Sequence, residues 1–577
     1  MAIYSSQEPL NYPQDATITD VLFDYNLNNT PEDTPAIIDG ISGEVAFTYG
    51  SLRTSVRRVA HHLQHQVGLK PDSVVGILST NRNYYPTCVH AILAVGGVIA
   101  ALNPLYEPNE LSHALGLSEP ACIIVEKALL PKLVTAIEMS PNLLQVPTLY
   151  VWDVEQPEPG LYEALRVEQI IQNGSTDFQH ARYPPGTAAK KLAFICFSSG
   201  TSGLVKGVKL SHGNIVANTF QQSQGLRGMF TPKTVLALIV PFFHVLGLAG
   251  FCCQFVIQGA PIVVFRKFEL ASLLKAVKTH RITHINIVPP IALEFLRNPI
   301  AATGDYSSVQ CLINAAAPLN QRQADQLAEK FGCVVTQWYG MTEASPSIAS
   351  QREEEVNVPG TIGRLLPGIE MKVIDENYKG RLTRVVDDCM FADRSQDTRV
   401  GEFAIRGPNI MQGYVDGEKK PESPMTPDGF LRTGDIGYVD DKGYLFIVDR
   451  AKEMIKVKGH QVAPAELEAI LITHPLVGDA AVCGTYNEHG TSEMPVAYIT
   501  TSVQDEEEQE ALKADVLKHV HSQVARYKQL TGGLFILPAI PRNPAGKILR
   551  RLLPAKLQKA KVQHFTEAAN APLSAKL

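Results

Sequence analysis

Residues Phe197–Asn214 read FSSGTSGLVKGVKLSHGN, and the reading of this stretch decides the fold. The ten residues from Ser198 to Gly207 hold four hydroxyls, three glycines and a lysine. One reading is a plain flexible loop. The other is a cradle for a polyphosphate, in which glycines let backbone N–H groups close on phosphate oxygens, hydroxyls add donors and Lys206 adds charge. The Walker A pattern GxxxxGK[ST] is absent, so the stretch is no ordinary P-loop.

Working outward, the bulk properties bound the answer. At 577 residues the chain is too long for one hydrophobic core, and several lobes are expected. Hydrophobic residues at 45% and charged ones at 19% are ordinary for a soluble globular protein. A net charge of −6 argues against a nucleic-acid binder, which would show a basic face. The nine cysteines form no CxxC pair, and adjacent Cys252 and Cys253 suit burial in a reducing compartment rather than a disulfide framework. No His/Cys set has zinc-ligand spacing.

The N-terminus has no basic start or apolar core and is not read as a secretory signal. The apolar stretch Val235–Phe265 is long enough to cross a bilayer, but Pro241, His244, Gln254, Gln258 and Pro261 interrupt it. It reads as strand, turn, helix and strand inside a large core. No membrane span is expected. The final residues Ala575-Lys576-Leu577 follow the small-basic-Leu pattern of a peroxisomal address, which implies an import receptor as partner and the peroxisome as location.

Short apolar runs alternate with helical periodicity over most of the chain, as in SVVGIL followed by YYPTCVHAILAVGG. That alternation predicts helix-covered, largely parallel sheets. From about Thr361 the texture changes to strands and turns, which predicts an antiparallel or barrel-like lobe. In EMIKVKG, Ile455 and Val457 alternate with Lys456 and Lys458, so both lysines share one strand face. Pro464 stands where a helix should begin, with Glu466 in its first turn and Leu467, Ile470 and Leu471 at helical spacing. A second helix is expected over roughly 509–527. The fold class predicted is therefore α/β: a large N-terminal domain over 1–449, including a β lobe from about 361, then a small mobile α+β domain over 450–577.

Further motifs follow the opening stretch in order. QWYGMTEAS sets Thr342 beside Glu343, a hydroxyl and a carboxylate that can hold a phosphate oxygen and Mg2+ together. FLRTGDIGYV places Asp435 in a Gly-flanked turn suited to a ribose diol, VDRAKEMIKVKG follows with Arg450, and IPRNPAGKILRR carries Lys547. Each alone reads as an ordinary acid, turn-former or surface lysine; their joint occurrence in this order does not.

Through SSGTSGLVKGV, YGMTEA, RTGDIG, DRAKEMIKVKGHQVAPAELE and NPAGKILRR, the chain resembles the adenylate-forming superfamily of acyl-CoA synthetases, firefly luciferase and peptide-synthetase adenylation domains, most of all its 4-coumarate–CoA ligase-like branch. The resemblance implies a two-step ligase using ATP, Mg2+ and CoA. A carboxylate attacks the α-phosphate to give an acyl-adenylate and pyrophosphate, and a thiol then displaces AMP. It further implies that Ser198, Ser199, Gly200, Thr201, Ser202 and Lys206 hold phosphates, and that Gln337 and its backbone neighbours meet the adenine region. Thr342 would contact phosphate and Glu343 the metal. Asp435 and Arg450 would take the ribose, with Gln461 near the nucleotide and Lys452 at the hinge. Lys547 would serve adenylation and Lys456 the thiol step, with Lys267, Lys458 and Gly459 at CoA positions. The implied acid pocket comprises His244 at a gate, Leu246, Ala315, Ala316, Trp338 and Gly340.

Two departures bear on the acid. Leu246 stands where coumarate ligases carry a tyrosine, and Trp338 where the family has glycine. They remove a phenol partner and add bulk, which predicts an apolar aliphatic or simple aryl-alkanoic acid. Three rivals share much of this pattern: an enzyme loading a separate carrier protein, a luciferase-like oxygenase and a non-catalytic nucleotide binder.

Overall fold

In the computed structural model, residues 3–374 and 400–556 are described, except positions 141–142, 153, 155, 159–160, 200–204, 316, 318, 320, 417–423, 452, 458–459, 487–491 and 544–545 and the side chains of 199, 460 and 461. The chain divides into two compact units, the larger formed by residues 3–371 and 405–431, the smaller by 1–2, 372–404 and 432–577. The break expected between Asp449 and Arg450 falls inside the smaller unit. There Arg450 Nε meets Asp435 Oδ1 at 3.0 Å, and the Ala451 N–H donates to Gly434 O at 2.9 Å, binding both sides of the position to one hairpin.

The larger unit holds an eight-stranded and a nine-stranded sheet. In the first, the strands Leu192–Ser199, Val98–Leu102, Val74–Leu78, Cys122–Glu126, Thr148–Trp152 and Glu163–Leu165 run parallel in that spatial order, and Val205–Ser211 joins antiparallel at the side of Leu192–Ser199. In the second, Val334–Gly340, Cys311–Asn314, His284–Ile287, Leu236–Leu238, Ile262–Val264 and Pro35–Asp39 are parallel, with antiparallel strands at both edges. Strands covered on both faces explain the continuous apolar runs. One face of the nine-stranded sheet presents Ile285, Ile287, Leu312 and Val335 to Leu273, Val277, Phe295 and Leu327 of its covering helices. Each such fully buried side chain contributes roughly 1.5–3 kcal/mol.

The segment Val235–Phe265 folds as Leu236–Leu238, the helix Leu246–Phe255 and Ile262–Val264, as its interrupting polar residues require. No helix among the described residues is long and apolar enough to cross a membrane. The described cysteines are free thiols and, Cys333 apart, buried. His90, inside the fully buried helix Tyr85–Ala94, shares a 2.8 Å hydrogen bond with Cys252 O. Burial lowers its pKa to about 4.

The smaller unit contains the antiparallel strands Leu431–Val439 (from Arg432 onward) and Leu445–Arg450, the hairpin Ile455–Val457/His460–Val462, and a three-stranded sheet of Asp479–Tyr486, Glu493–Thr500 and Leu534–Ile536. Helices Pro464–Ile472 and Glu506–His521 bury Leu467, Ile470, Leu471, Leu512, Val516 and Val520 against these strands. The second helix begins earlier than expected because Asp505 caps it, accepting from the Glu508 N–H at 3.0 Å. It ends at His521, and Arg526–Lys528 form a separate 3-10 turn.

Candidate active site

The opening stretch resolves into strand, tip, strand and helix cap. Leu192–Ser199 and Val205–Ser211 pair antiparallel with Ser198 opposite Lys206, so both side chains stand on one face beside the connection. Gly200, Thr201 and Ser202 lie outside the described residues, as does the Ser199 side chain. Ser211 then caps the helix His212–Gly225, accepting from the Asn214 N–H at 3.2 Å. The Asn214 amide reaches across to Pro408 O and Ile410 O, each at 2.8 Å. This anchors the segment that carries the short strand Gly413–Tyr414 beside Val205–Ser211, with Val208 opposite Tyr414.

Glu343 is where these pieces meet. Its carboxylate is buried, and Oε1 accepts from Ser198 Oγ at 3.2 Å and from Tyr414 Oη at 3.1 Å. The Lys206 ammonium lies 4.7 Å from the centre of the Tyr414 ring, in cation–π range. Burial, and then the Glu343 charge, raise the Tyr414 phenol, so it stays a neutral donor. Both hydrogen bonds end on Oε1, which orients the carboxylate and leaves Oε2 uninvolved in either. The backbone is equally determined. Thr342–Ala344 form one 3-10 turn, the Met411 N–H donates to Glu343 O at 2.9 Å, and the Met341 N–H donates to Pro346 O at 2.9 Å. A Cβ on Gly340 would meet Pro346 O at 2.2 Å, so glycine there is required by this turn. Thr342 is partly exposed beside Glu343.

Gln337 fastens a neighbouring loop. Its amide oxygen accepts from Asn314 Nδ2 at 3.1 Å and the Leu319 N–H at 3.3 Å, and its nitrogen donates to Leu319 O at 2.9 Å. Ala315 begins that loop, its N–H bonded to Ile287 O at 3.2 Å; Ala316 lies outside the described residues. His244 precedes the helix Leu246–Phe255. Its Nδ1 accepts from the Leu246 N–H at 3.3 Å, and burial lowers its pKa to about 4. The ring is therefore neutral at pH 7 with its proton on Nε2. Leu246 is buried, and Trp338 is buried against Phe230 with ring centroids 5.7 Å apart. Lys267 is exposed ahead of the helix Leu270–His280.

The smaller unit brings Asp435, Arg450 and Lys547 together. Asp435 and Arg450 are register partners and an ion pair at 3.0 Å, with Asp435 buried. Burial first, then the Arg450 charge, lower the Lys547 ammonium, while Glu453 and Asp435 oppose the shift. The Lys547 N–H donates to Asn543 Oδ1 at 2.8 Å, and the Asn543 N–H returns a bond to Lys547 O at 2.9 Å. Arg542 braces the same loop through Gly546 O at 2.6 Å and a bidentate pair with Asp479 at 2.8 and 3.1 Å. Beyond it Arg550 binds Glu468 at 2.8 and 2.9 Å, Glu453 at 2.5 Å and Val482 O at 3.0 Å. Burial still raises Glu468 to about 7 and Asp449 to about 6.

Lys456 is exposed between buried Ile455 and Val457, and its N–H donates to Glu493 Oε2 at 2.8 Å. Gln461 stands opposite it in the hairpin, its side chain outside the described set. Lys452, Lys458 and Gly459 lie outside the described residues. Sequence reasoning missed Tyr414, whose bond to Glu343 spans 71 residues. A tyrosine in a Gly-flanked turn was the sole local signal.

Comparison with known proteins shows the family. The family model described as AMP-binding enzyme matches residues 23–415, and the AMP-binding enzyme C-terminal domain matches 466–547. The probable 4-coumarate–CoA ligase 1 of Dictyostelium discoideum is 34% identical over 90% of this chain and 92% of its own length. The 4-coumarate–CoA ligase CCL1 of Humulus lupulus is 33% identical over 91% of each chain. Among solved structures, ATP-bound MatB from Rhodopseudomonas palustris shares the fold at a TM-score of 0.78 and 24% identity, covering 94% of this chain and 99% of its own. The hairpin beside the buried glutamate lies within the first of these ranges and Lys547 closes the second, and the chain belongs to the AMP-binding enzyme family.

Proposed function

We propose that the protein is an ATP-dependent acyl-CoA ligase that converts a carboxylic acid to its acyl-adenylate and then to a CoA thioester. The observation that carries this reading is the oriented Glu343 carboxylate, fixed by Ser198 and Tyr414 next to the Lys206 flank of the glycine-rich connection. Hard oxygen donors beside a phosphate cradle fit Mg2+, and Glu343 with Thr342 would hold it. Bound there, the ion supplies positive charge beside the departing pyrophosphate. The chain's own residues do the rest. The hydroxyls and Lys206 hold the nucleotide's phosphates, Asp435 and Arg450 take the ribose, and the Lys547 ammonium offsets charge where carboxylate meets α-phosphate. Neutral His244 guards the acid. Lys456 serves thioester formation, with Lys452 at the hinge, Gln461 near the nucleotide, and Lys267, Lys458 and Gly459 toward CoA.

The test is acid-dependent exchange of labelled pyrophosphate into ATP, followed by CoA-dependent AMP release across a panel of carboxylic acids. Glu343→Gln keeps the shape and removes the charge, and is expected to lower exchange about a hundredfold. If the wild-type protein exchanges with no acid in the panel, the proposal fails; release with a carrier-protein thiol but not CoA redirects the second step.

The address at Ala575-Lys576-Leu577 lies outside the described residues, and we read it as peroxisomal targeting. Deleting these three residues is expected to move the protein to the cytosol without change in activity. An unaltered location in cells refutes the targeting.

A further inference from the structure

Where the central strands of the nine-stranded sheet begin, three chain segments bring unlike donors together. His284 and Cys311 are register partners, each the first residue of its strand. Ile285 and Leu312 enter the helix-packed core, so alternation turns His284 and Cys311 to the opposite face. Glu353 opens the 3-10 turn Glu353–Glu355. One atom from each residue (an imidazole nitrogen, the thiol sulfur and a carboxylate oxygen) lies within 4.8 Å of the other two. His284 Nε2 and Glu353 Oε1 are 3.4 Å apart.

The imidazole is prepared for a cation. The His284 side chain is 4% exposed, and its Nε2 is buried without a hydrogen-bond partner. Its Nδ1 shares a 2.9 Å bond with Thr283 Oγ1. That hydroxyl has one proton, which it donates to Val235 O at 3.2 Å, and it accepts from the Val235 N–H at 3.0 Å. Nδ1 is therefore the donor to Thr283, and Nε2 carries a lone pair on the side of Cys311 and Glu353. A lone pair and a carboxylate that face each other call for a positive centre between them. The turn beneath Glu353 is fixed as well. Gln351 Nε2 donates to Glu355 O at 2.9 Å, and the Arg352 N–H donates to Glu355 Oε2 at 3.0 Å. Glu354 and Glu355 face Arg227 and Arg364 at 3.7 and 3.4 Å, while Glu353 faces the imidazole.

We propose that His284, Cys311 and Glu353 bind a zinc ion that clamps the start of two parallel strands to the turn after Ser347–Ser350. Nitrogen, sulfur and oxygen donors in one place suit Zn2+, and the thiolate disfavours Mg2+ and Ca2+. Tetrahedral bonds of about 2.0–2.1 Å set a nitrogen and an oxygen ligand about 3.4 Å apart, which matches the His284–Glu353 separation. As the zinc–sulfur bond forms, the Cys311 thiol releases its proton to solvent; the neutral imidazole and the carboxylate bind without losing one. Water takes the fourth position, reached from the side of Glu353, whose side chain is 45% exposed. Thr283 is the outer partner that holds the ring's tautomer. The ion lies apart from the Glu343 chemistry. Cys311 pairs with Val334 and Asn314 with Gln337, so roughly 10 Å of strand separates the Cys311 level from Gln337. The donors come from positions 284, 311 and 353, which is why no local spacing announced them.

The experiment strips the full-length protein with a chelator and titrates Zn2+ against a chromophoric zinc chelator in excess Mg2+, which occupies hard-oxygen sites. The wild-type protein is expected to take up one Zn2+ per chain at submicromolar concentration. Glu353→Gln alters a partly exposed side chain, and is expected to weaken that binding at least about tenfold. Co2+ then reads the sulfur. The wild-type protein is expected to give an intense tetrahedral spectrum with a thiolate-to-cobalt charge-transfer band. Cys311→Ser is expected to lose that band. Cys333→Ser, which changes the partly exposed thiol next to Val334, is expected to keep it. Failure of the wild type to take up Zn2+, a cobalt spectrum without the band, its survival in Cys311→Ser, its loss in Cys333→Ser, or undiminished affinity in Glu353→Gln overturns the inference. If Cys311→Ser fails to fold, the Glu353→Gln titration decides alone.

Discussion

Replacing Lys547 by alanine is expected to lower acid-dependent pyrophosphate exchange by at least about a hundredfold, the scale of losing one preorganised charge in a water-poor site. Thiolysis of supplied acyl-adenylate by CoA should persist within a few fold. The asymmetry follows from where the ammonium stands. Burial and the Arg450 charge both work against it, so the folded unit holds a destabilised cation. Negative charge developing at the α-phosphorus relieves that cost, whereas the thiol step consumes an adenylate already made. The loop itself is fixed by Asn543 and Arg542 and needs no Lys547 side chain to form. Single-turnover assays of each half-reaction read the split directly; a variant with both half-reactions intact means that Lys547 has been misassigned.

Acid is expected to weaken the larger unit and spare the smaller one. His90 and His212 are fully buried, and burial lowers both to about 4 from 6.5. Between those limits the unfolded chain binds a proton on each ring that the folded unit refuses. Stability is therefore full above pH 6.5 and falls by ~1.4 kcal/mol per pH unit per ring below it. For the pair the loss reaches about 7 kcal/mol at pH 4, comparable with the whole stability of many domains. In the smaller unit the sign reverses. Asp449 and Glu468 are raised to about 6 and about 7, so their contribution is complete below about pH 4 and is lost as pH rises through 6–7. Hydrogen exchange resolved by peptide at pH 7.5 and 5 checks this. Protection should drop in Tyr85–Ala94 and His212–Gly225 and hold in Pro464–Ile472; a parallel drop in all three contradicts the assignment.

Much of this was legible in the residues. The hydroxyl-glycine-lysine cluster was read as a loop or a phosphate cradle, and its flanks pair as antiparallel strands; the apolar alternation around Lys456 marked a strand with one wet face. Asp435, Arg450 and Lys547, more than a hundred residues apart at the extremes, were named from motifs and lie in one electrostatic group. What sequence concealed depends on long-range contact. Tyr414 reaches Glu343 because an asparagine amide fastens a distant segment to a helix cap, and no period or spacing records that. The domain break at 449/450 was drawn from the strand and helix pattern that follows it, and the pairing of Asp435 with Arg450 beside that position is a long-range contact that such a pattern does not record.

The two arginines that flank the Lys547 loop have a consequence for recombination between related enzymes. Arg542 answers to Asp479, and Arg550 answers to Glu453 and Glu468, so correct placement of one lysine draws on ion pairs whose members lie 63 to 97 residues apart. Crossover points chosen between those members would separate guanidinium from carboxylate and strand a buried charge. Chimeras that exchange residues from Glu453 through Arg550 as one block keep every partner together.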